Sequence, residues 1–276
     1  VIVFGLIIFE KFSRRKTKRW SENPATLNSQ GWELKKYRAL LAILTSLFPP
    51  IFSIGIPGFW FVLNFDQIQK GLTIELLTLT IRTIGLGFIA SLITIIFSLI
   101  LSLANRQNKN LFLQLITFPA GIGYAIPGTV LAISLITIAT SKFSFIAICL
   151  LIWGYLVRFL TISKGSLDAG LERISTSLDE AANGLGSNWL SIIKRIHLPL
   201  LKGPIFVGAL LVFVDTIKEL PITFILRPFD FDTLSVRIYQ YAGDERMAEA
   251  IVPAIFITIL GLIASSTLIP SLEKKN

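Results

Sequence analysis

Residues 83–104 read TIGLGFIASLITIIFSLILSLA, a run without a single charged side chain. At about 1.5 Å per residue such a helix reaches about 33 Å, enough to cross the roughly 30 Å hydrocarbon core of a bilayer. Lipid offers the backbone no hydrogen-bond partner, so a spanning segment of this kind satisfies its own amides as a helix. Five further stretches share the character, at about 39–63, 113–140, 144–162, 204–226 and 250–270. The reading is an all-α polytopic membrane protein with about six transmembrane helices. Val1–Phe9 is also apolar but too short to cross. It has no basic start and no small-residue cleavage site, so it reads as the end of a preceding helix rather than a signal peptide.

Composition supports this class. Of 276 residues, 53% are hydrophobic and only 16% charged, against about 25% charged in soluble domains. Ordinary soluble enzymes and disordered chains are excluded on these grounds. One cysteine and one histidine exclude an internal disulfide and any Cys- or His-rich metal centre. The net charge of +9 is a topology signal, not a nucleic-acid patch. If six spans alternate, the N-terminal region, the 105–111 link, the region from Arg158 through 203 and the C-terminus share one side. They hold 19 of the 26 Lys and Arg residues, the other side holds six, and Lys218 lies within a span. The richer side is cytoplasmic by the positive-inside rule.

The spans differ in texture. Gly87, Ser91, Thr94, Ser98 and Ser102 recur at helical steps in the second, a stripe of small residues that suits close helix packing. Pro49-Pro50 and Pro57-Gly58 interrupt the first, and Pro127-Gly128 the third. Proline removes a backbone donor, so each is either a packing kink or a break of the kind that lines transport pathways. Asp215, Lys218 and Glu219 fall in the fifth span at spacings that place them on one face. Charge within lipid must face protein or water. The trio reads as a pathway lining or as a self-neutralising pair.

The cytoplasmic connection 163–203 contains KGSLDAGLERISTSLDEAANGLGSNWLSIIKRIHLPLLKG. Ser177-x-x-Glu180 suits a capping box. Gly184 and Gly186 suit a helix stop and tight turn, and Ser187 or Asn188 can cap a second helix. Trp189, Ile192, Ile193 and Ile196 form one apolar face, and Pro199 interrupts that helix. The loop is a helix–turn–helix at the membrane surface.

Within it, Glu180-Ala181-Ala182, Gly186, Ile196 and Leu198-Pro199 resemble, in identity and spacing, the EAA signature of ATP-binding-cassette (ABC) importer permeases with the MetI-like fold. The runs 123–130, Leu178-Asp179-Glu180-Ala181-Ala182, Lys218-Glu219-Leu220-Pro221, Arg227-Pro228-Phe229, Asp232-Thr233-Leu234 and 243–246 resemble the ferric-iron (Fbp-type) members. The resemblance implies that Glu180, Ala181, Ala182, Gly186, Ile196, Leu198 and Pro199 couple the chain to a cytoplasmic ABC ATPase dimer. It implies a periplasmic ferric-iron binding protein as donor and the bacterial inner membrane as location, with both tails of the six-span unit cytoplasmic. Fbp-type permeases carry two repeats of about six spans. Residues 38–272 look like the second repeat, and 1–37 like the end of a preceding helix plus a basic linker. A second permease half, or a homodimer partner, is then required.

The chain has no G-x-x-x-x-G-K-[ST] loop, so ATP belongs on the partner subunit, and no cofactor or resident metal site is expected. Fe(III) enters as cargo. Asp215, Lys218, Glu219, Pro127 and Gly128 are the candidate pathway residues. The acidic and tyrosine-bearing loop 227–249 faces the donor side, its carboxylates either solvated or liganding iron. His197 and Cys149 read as a surface or packing residue and an apolar filler. The expected function is import of ferric iron. The alternatives are thiamine, polyamine or oxyanion cargo in the same class, an ion channel or secondary transporter, and a non-functional remnant of a split permease.

Overall fold

A computed structural model describes residues 34, 36–66, 73–107, 110, 113, 117, 120–138 and 144–268. Val1–Phe9, the basic run 11–19, Lys70, Lys109, Lys142 and the C-terminal Lys274 and Lys275 lie outside them. The chain divides into two units, 1–63 and 64–276.

The first unit contributes one apolar helix, α1 (Tyr37–Leu63), long enough to span. Pro49 and Pro50 lie inside it and do not end it. Directly after them the helix widens into a π turn over Ile51–Gly55. The Ser53 hydroxyl donates to the Pro49 carbonyl at 2.6 Å, a back-bond of the kind serine makes within helices. Pro57-Gly58 continues in helix (Ile56–Leu63).

The second unit is all-helical among its described residues. α2 (Ile74–Gln107) is longer than its charge-free core, and at about 1.5 Å per residue it exceeds the lipid core by several turns. The small-residue stripe is its packed face, with Gly87, Ser91, Thr94, Ser98 and Ser102 all buried. A Cβ on Gly87 would sit 2.9 Å from the Phe213 ring and 3.0 Å from Ile217. The third predicted span is not one helix. A 3-10 turn (Gly123–Ala125) leads through extended Ile126 into α3 (Gly128–Ile138), which is too short to cross alone. α4 (Ser144–Leu171) runs past the predicted end of the fourth span into the connection that follows. The connection then forms α5 (Thr176–Gly184) and α6 (Trp189–Leu200). α7 (Lys202–Ile217) leaves α6 at a 70° bend. The fifth predicted span therefore also divides: α7 stops at Ile217, and α8 (Pro221–Leu226) follows a short turn. α9 (Leu234–Gly243) and α10 (Met247–Ser266) close the unit.

Four described helices are long and apolar enough to cross a membrane, or five if the bent α6–α7 pair is one span. Among the described residues the third and fifth predicted spans are each divided, at Pro127-Gly128 and before Pro221.

α2, α4 and α7 pack against one another. Their core gathers Leu86, Ala90, Leu151, Tyr155, Phe159 and Val212, with Ala132 of α3 and Ile222 and Leu226 of α8. Glycines permit the approach. A Cβ on Gly170 would meet Pro204 at 2.5 Å, and one on Gly208 would meet Ile95 at 3.1 Å. A second cluster of Leu103, Leu171, Ile174 and Leu201 joins the ends of α2 and α4 to the α6–α7 bend.

Candidate coupling surface and pathway break

The 163–203 connection folds as the helix–turn–helix its pattern predicts, with one shift. The cap of α5 is Ser175, whose hydroxyl accepts from the Ser177 amide at 3.3 Å. Ser177 lies inside the helix, so the predicted Ser177–Glu180 box is not formed. Ser175 captures the position because it is the last residue outside helical geometry, with ψ at 139°. The far end of α5 closes through glycine. Gly186 has φ +79°. Its amide donates to Asn183 O at 2.9 Å, and Ser187 N donates to Ala182 O at 3.0 Å. This pair of bonds is a Schellman closure, which needs a left-handed residue at this place. Gly184 is the last helical residue and needs no special backbone. Asn188, rather than Ser187, caps α6 by accepting from the Ser191 amide at 2.9 Å.

Pro199 does not interrupt α6. The strain falls one turn earlier, where Ile193–His197 widen into a π turn and Leu198 N bonds to Ile193 O. A proline at 199 cannot donate to the carbonyl four residues back, and the wider turn redistributes the bonding around it. The chain bends instead after Leu200.

Glu180, Ala181, Gly186 and Pro199 are exposed, and Ala182, Ile196 and Leu198 half-buried. The outer surface is apolar at the turn. Leu185 is 88% exposed and Leu190 63%.

The inner side holds a polar cluster that the sequence does not reveal. Asp179 lies between Arg106 of α2 and His197 of α6. Arg106 Nε donates to Asp179 Oδ2 at 2.7 Å, and His197 Nε2 lies 3.0 Å from Asp179 Oδ1. The other guanidinium nitrogens donate to Leu171 O at 2.9 Å, Ile174 O at 3.0 Å and Ser175 O at 3.2 Å. His197 is fully buried beside Trp189, their rings 5.5 Å apart, and is neither a surface residue nor mere packing. Burial holds its pKa below the usual histidine value. The Asp179 carboxylate opposes that shift and the Arg106 guanidinium adds to it. The folded state therefore favours neutral imidazole, and its contribution to stability is complete above about pH 6.5 and lost as pH falls through the lowered folded value. Thermal unfolding at pH 7.5 and 5.5 checks this. The wild type loses more melting temperature between the two pH values than His197→Gln, which has no titrating ring.

The predicted pathway residues separate into two groups. Asp215 and Lys218 form an ion pair at 2.8 Å, with Lys218 59% exposed at the end of α7. Glu219 does not share their face, because the helix has already ended. It turns inward and is only 6% exposed. Its Oε2 accepts from the Ile222 and Thr223 amides at 3.0 and 3.3 Å, closing the start of α8. Its carbonyl accepts from the Thr223 and Ser235 hydroxyls, both at 2.9 Å. Thr223 in turn bonds Tyr155 OH at 2.6 Å.

Glu219 thereby meets the break in the third span. Gly128 is buried and Pro127 exposed. A Cβ on Gly128 would sit 2.6 Å from Arg158 Nη1 and 3.1 Å from Glu219 Oε1. Arg158 also donates to Ile126 O at 3.4 Å and lies over the Tyr124 ring at 5.6 Å. The sequence counts Arg158 among the cytoplasmic cations. The structure puts it well inside α4, facing the break.

Within the segment 227–249, Leu234–Gly243 form helix α9. Arg227 pairs with Asp232 at 2.6 Å, Arg237 with Glu75 and Asp232, and Arg246 with Glu249. These carboxylates are engaged by arginine. Among the described residues no three or more His, Cys, Asp or Glu side chains gather as a metal site. Cys149 lies exposed on α4, within the fourth predicted span.

Comparison with known proteins accords with this architecture. The chain is 25% identical over 215 residues to an Fe(3+)-transport system permease protein, FbpB 2, of Haemophilus influenzae. The match covers 76% of this chain and 42% of that protein, so the chain spans under half of its length. The fold resembles a crystallised inward-facing MetNI methionine ABC transporter, with TM-score 0.56 and 17% identity over 70% of this chain and 92% of the other. It also resembles a bacterial ABC transporter that imports the acidic polysaccharide alginate, with TM-score 0.60 and 16% identity over 82% and 94%. The family model described as binding-protein-dependent transport system inner membrane component matches residues 102–275. Such permeases are transport subunits and not enzymes, and they reside in the inner membrane. With more than half of its length matched, this chain belongs to the family of binding-protein-dependent transport system inner membrane components.

Proposed function

We infer that the chain is a permease half of an ATP-driven importer for ferric iron. The observation that carries the coupling role is the pair α5 and α6. Their turn presents Leu185 and Leu190 outward, while Asp179 and His197 tie the helices together inside. Glu180, Ala181, Ala182, Gly186, Ile196, Leu198 and Pro199 belong to this unit and meet an ABC ATPase dimer. ATP stays on that dimer. Residues 38–272 act as a six-span unit with cytoplasmic tails, the broken third and fifth spans counting as crossings. A second permease half, or a second copy, completes the pathway. Pro127, Gly128 and Glu219 line it, with Asp215 and Lys218 at its rim.

The iron assignment is supported by the ferric-iron permease from Haemophilus influenzae. A periplasmic binding protein delivers Fe(III), which is cargo and not a cofactor. A different cargo in the same class is the alternative, since transporters described for methionine and alginate share this fold. Uptake of radiolabelled Fe(III) by iron-limited cells with and without the gene separates the two, with thiamine and putrescine measured in parallel. Selective loss of iron uptake is the expected result. Normal iron uptake with loss of another solute removes the iron assignment and keeps the class.

The coupling role has its own test. A Cβ on Gly186 would have no neighbour within 4 Å, so a side chain fits, but the left-handed φ of +79° does not suit one. The backbone penalty is about 1–2 kcal/mol, concentrated in the exposed turn. Gly186→Val is expected to insert normally, as judged by membrane yield, and to lose most ATP-dependent uptake. Unchanged uptake would remove the loop from the coupling route.

A further inference from the structure

We propose that Arg106, Asp179 and His197 form a positioning clamp that makes the α5–α6 pair and the end of α2 one rigid body, so that displacement of the loop is delivered directly to α2. This rests on the coupling role inferred above and adds the residues that transmit it.

Three observations carry the clamp. First, one carboxylate serves two elements. Asp179 Oδ2 takes Arg106 Nε and its Oδ1 takes His197 Nε2. Asp179 immediately precedes Glu180, and His197 lies between Ile196 and Leu198. The two halves of the proposed ATPase-facing unit are therefore joined at its centre. Second, Arg106 holds more than the carboxylate. Its remaining nitrogens take the carbonyls of Leu171, Ile174 and Ser175, where α4 passes into α5. A guanidinium can satisfy this set because its donors lie in a fixed planar fork. Third, the groups are screened from water. Arg106 and Asp179 side chains are mostly buried and His197 entirely so, over the cluster of Leu103, Leu171, Ile174 and Leu201.

Stability alone is a poor explanation for such a site. Burying an ion pair costs about as much as the pair returns, and apolar replacements of equal volume are often as stable. The polar set gives something an apolar cluster does not, namely fixed distances between three helices. With His197 donating from Nε2, its buried Nδ1 is the unprotonated nitrogen and has no partner. The ring therefore faces Asp179 and not an alternative acceptor.

The test uses the whole transporter in nanodiscs, with the second permease half, the ATPase and the binding protein. In a Cys149→Ala background, spin labels are placed through Ile81→Cys on α2 and Lys194→Cys on α6, both exposed positions. The parent is expected to give one narrow label-to-label distance that is the same without nucleotide and with ATP plus vanadate. Asp179→Asn and Arg106→Gln are expected to broaden or split that distance. In both, basal ATP hydrolysis stays within about twofold of the parent, while stimulation by the Fe(III)-loaded binding protein falls to less than half its fold value. His197→Gln keeps an N–H donor and is expected to behave as the parent, whereas His197→Leu follows Asp179→Asn. If Asp179→Asn does not assemble, Arg106→Lys, which keeps the charge and loses the fork, carries the same expectation. Variants that retain both the narrow distance and full stimulation overturn the clamp alone. A parent that recruits no ATPase overturns the coupling role and the clamp with it.

Discussion

Gly123→Ala is expected to abolish most of the folded yield. A Cβ at this position would lie 1.9 Å from the backbone oxygen of Val157 and 3.0 Å from its carbonyl carbon. Real Cβ atoms do not approach so closely, and the obstacle is the backbone of α4, which has no rotamer to adopt. Relief requires moving the 123–125 turn away from α4. That would pull on the bonds that fasten it there, Thr161 Oγ1 to Ala120 O at 2.8 Å and Tyr124 N to Thr161 Oγ1 at 3.4 Å. Overpacking typically costs about 1–3 kcal/mol where side chains can shift, and a clash with fixed backbone belongs at or above the top of that range. The check is the monodisperse fraction and the melting temperature after detergent extraction. Gly85→Ala is the control: it also lies in a helix, has open space around a Cβ, and should be neutral or slightly stabilising through helix propensity. Equal behaviour of the two variants would refute the close approach at 123.

Glu219→Ala is the second large effect. The Glu219 carboxylate accepts two amides at the start of α8 and faces Arg158 across Gly128. Its removal leaves the Ile222 and Thr223 amides without that acceptor. A buried donor without a partner costs about 1–3 kcal/mol. It also removes the carboxylate facing the Arg158 cation, and an uncompensated buried charge is among the costlier defects. Loss of about 3 kcal/mol or more is expected, with uptake lost in proportion to folded protein. Glu219→Gln keeps an acceptor for the amides and loses only the charge. Comparing melting temperatures of the two variants separates capping from charge compensation. A Glu219→Ala protein as stable as wild type would show that neither role matters.

Much of this architecture is legible along the chain. The stripe from Gly87 to Ser102 announces a packed face because small residues at helical spacing have few other uses in a span. Gly186 announces a turn because only glycine takes a left-handed backbone cheaply. Pro127-Gly128 marks the site where the third span breaks. What escapes the sequence depends on distant partners. Nothing near Arg158 signals Glu219, and nothing near His197 signals Arg106. An arginine near the end of an apolar run has the same local pattern whether it meets headgroups or a buried break. The start of α5 differs from its expected position for a related reason. Ser175 and Ser177 are both competent caps, and the winner depends on where α4 ends, a matter settled by tertiary packing at Leu171 and Ile174.

The 70° bend between α6 and α7 has a mechanical consequence. Leu201 at the corner is fully buried, and Gly170 of α4 approaches both Leu201 and Pro204. The corner is thus seated like the fulcrum of a bell crank, with α6 as the short arm and α7 as the long one. At about 1.5 Å per residue α7 is roughly 24 Å long, so a pivot of about 5° at the corner swings its far end by about 2 Å. That far end carries Thr216 and Ile217, and the next residues are Lys218 and Glu219. A pivot at Leu201 would therefore be felt at the carboxylate beside the broken span.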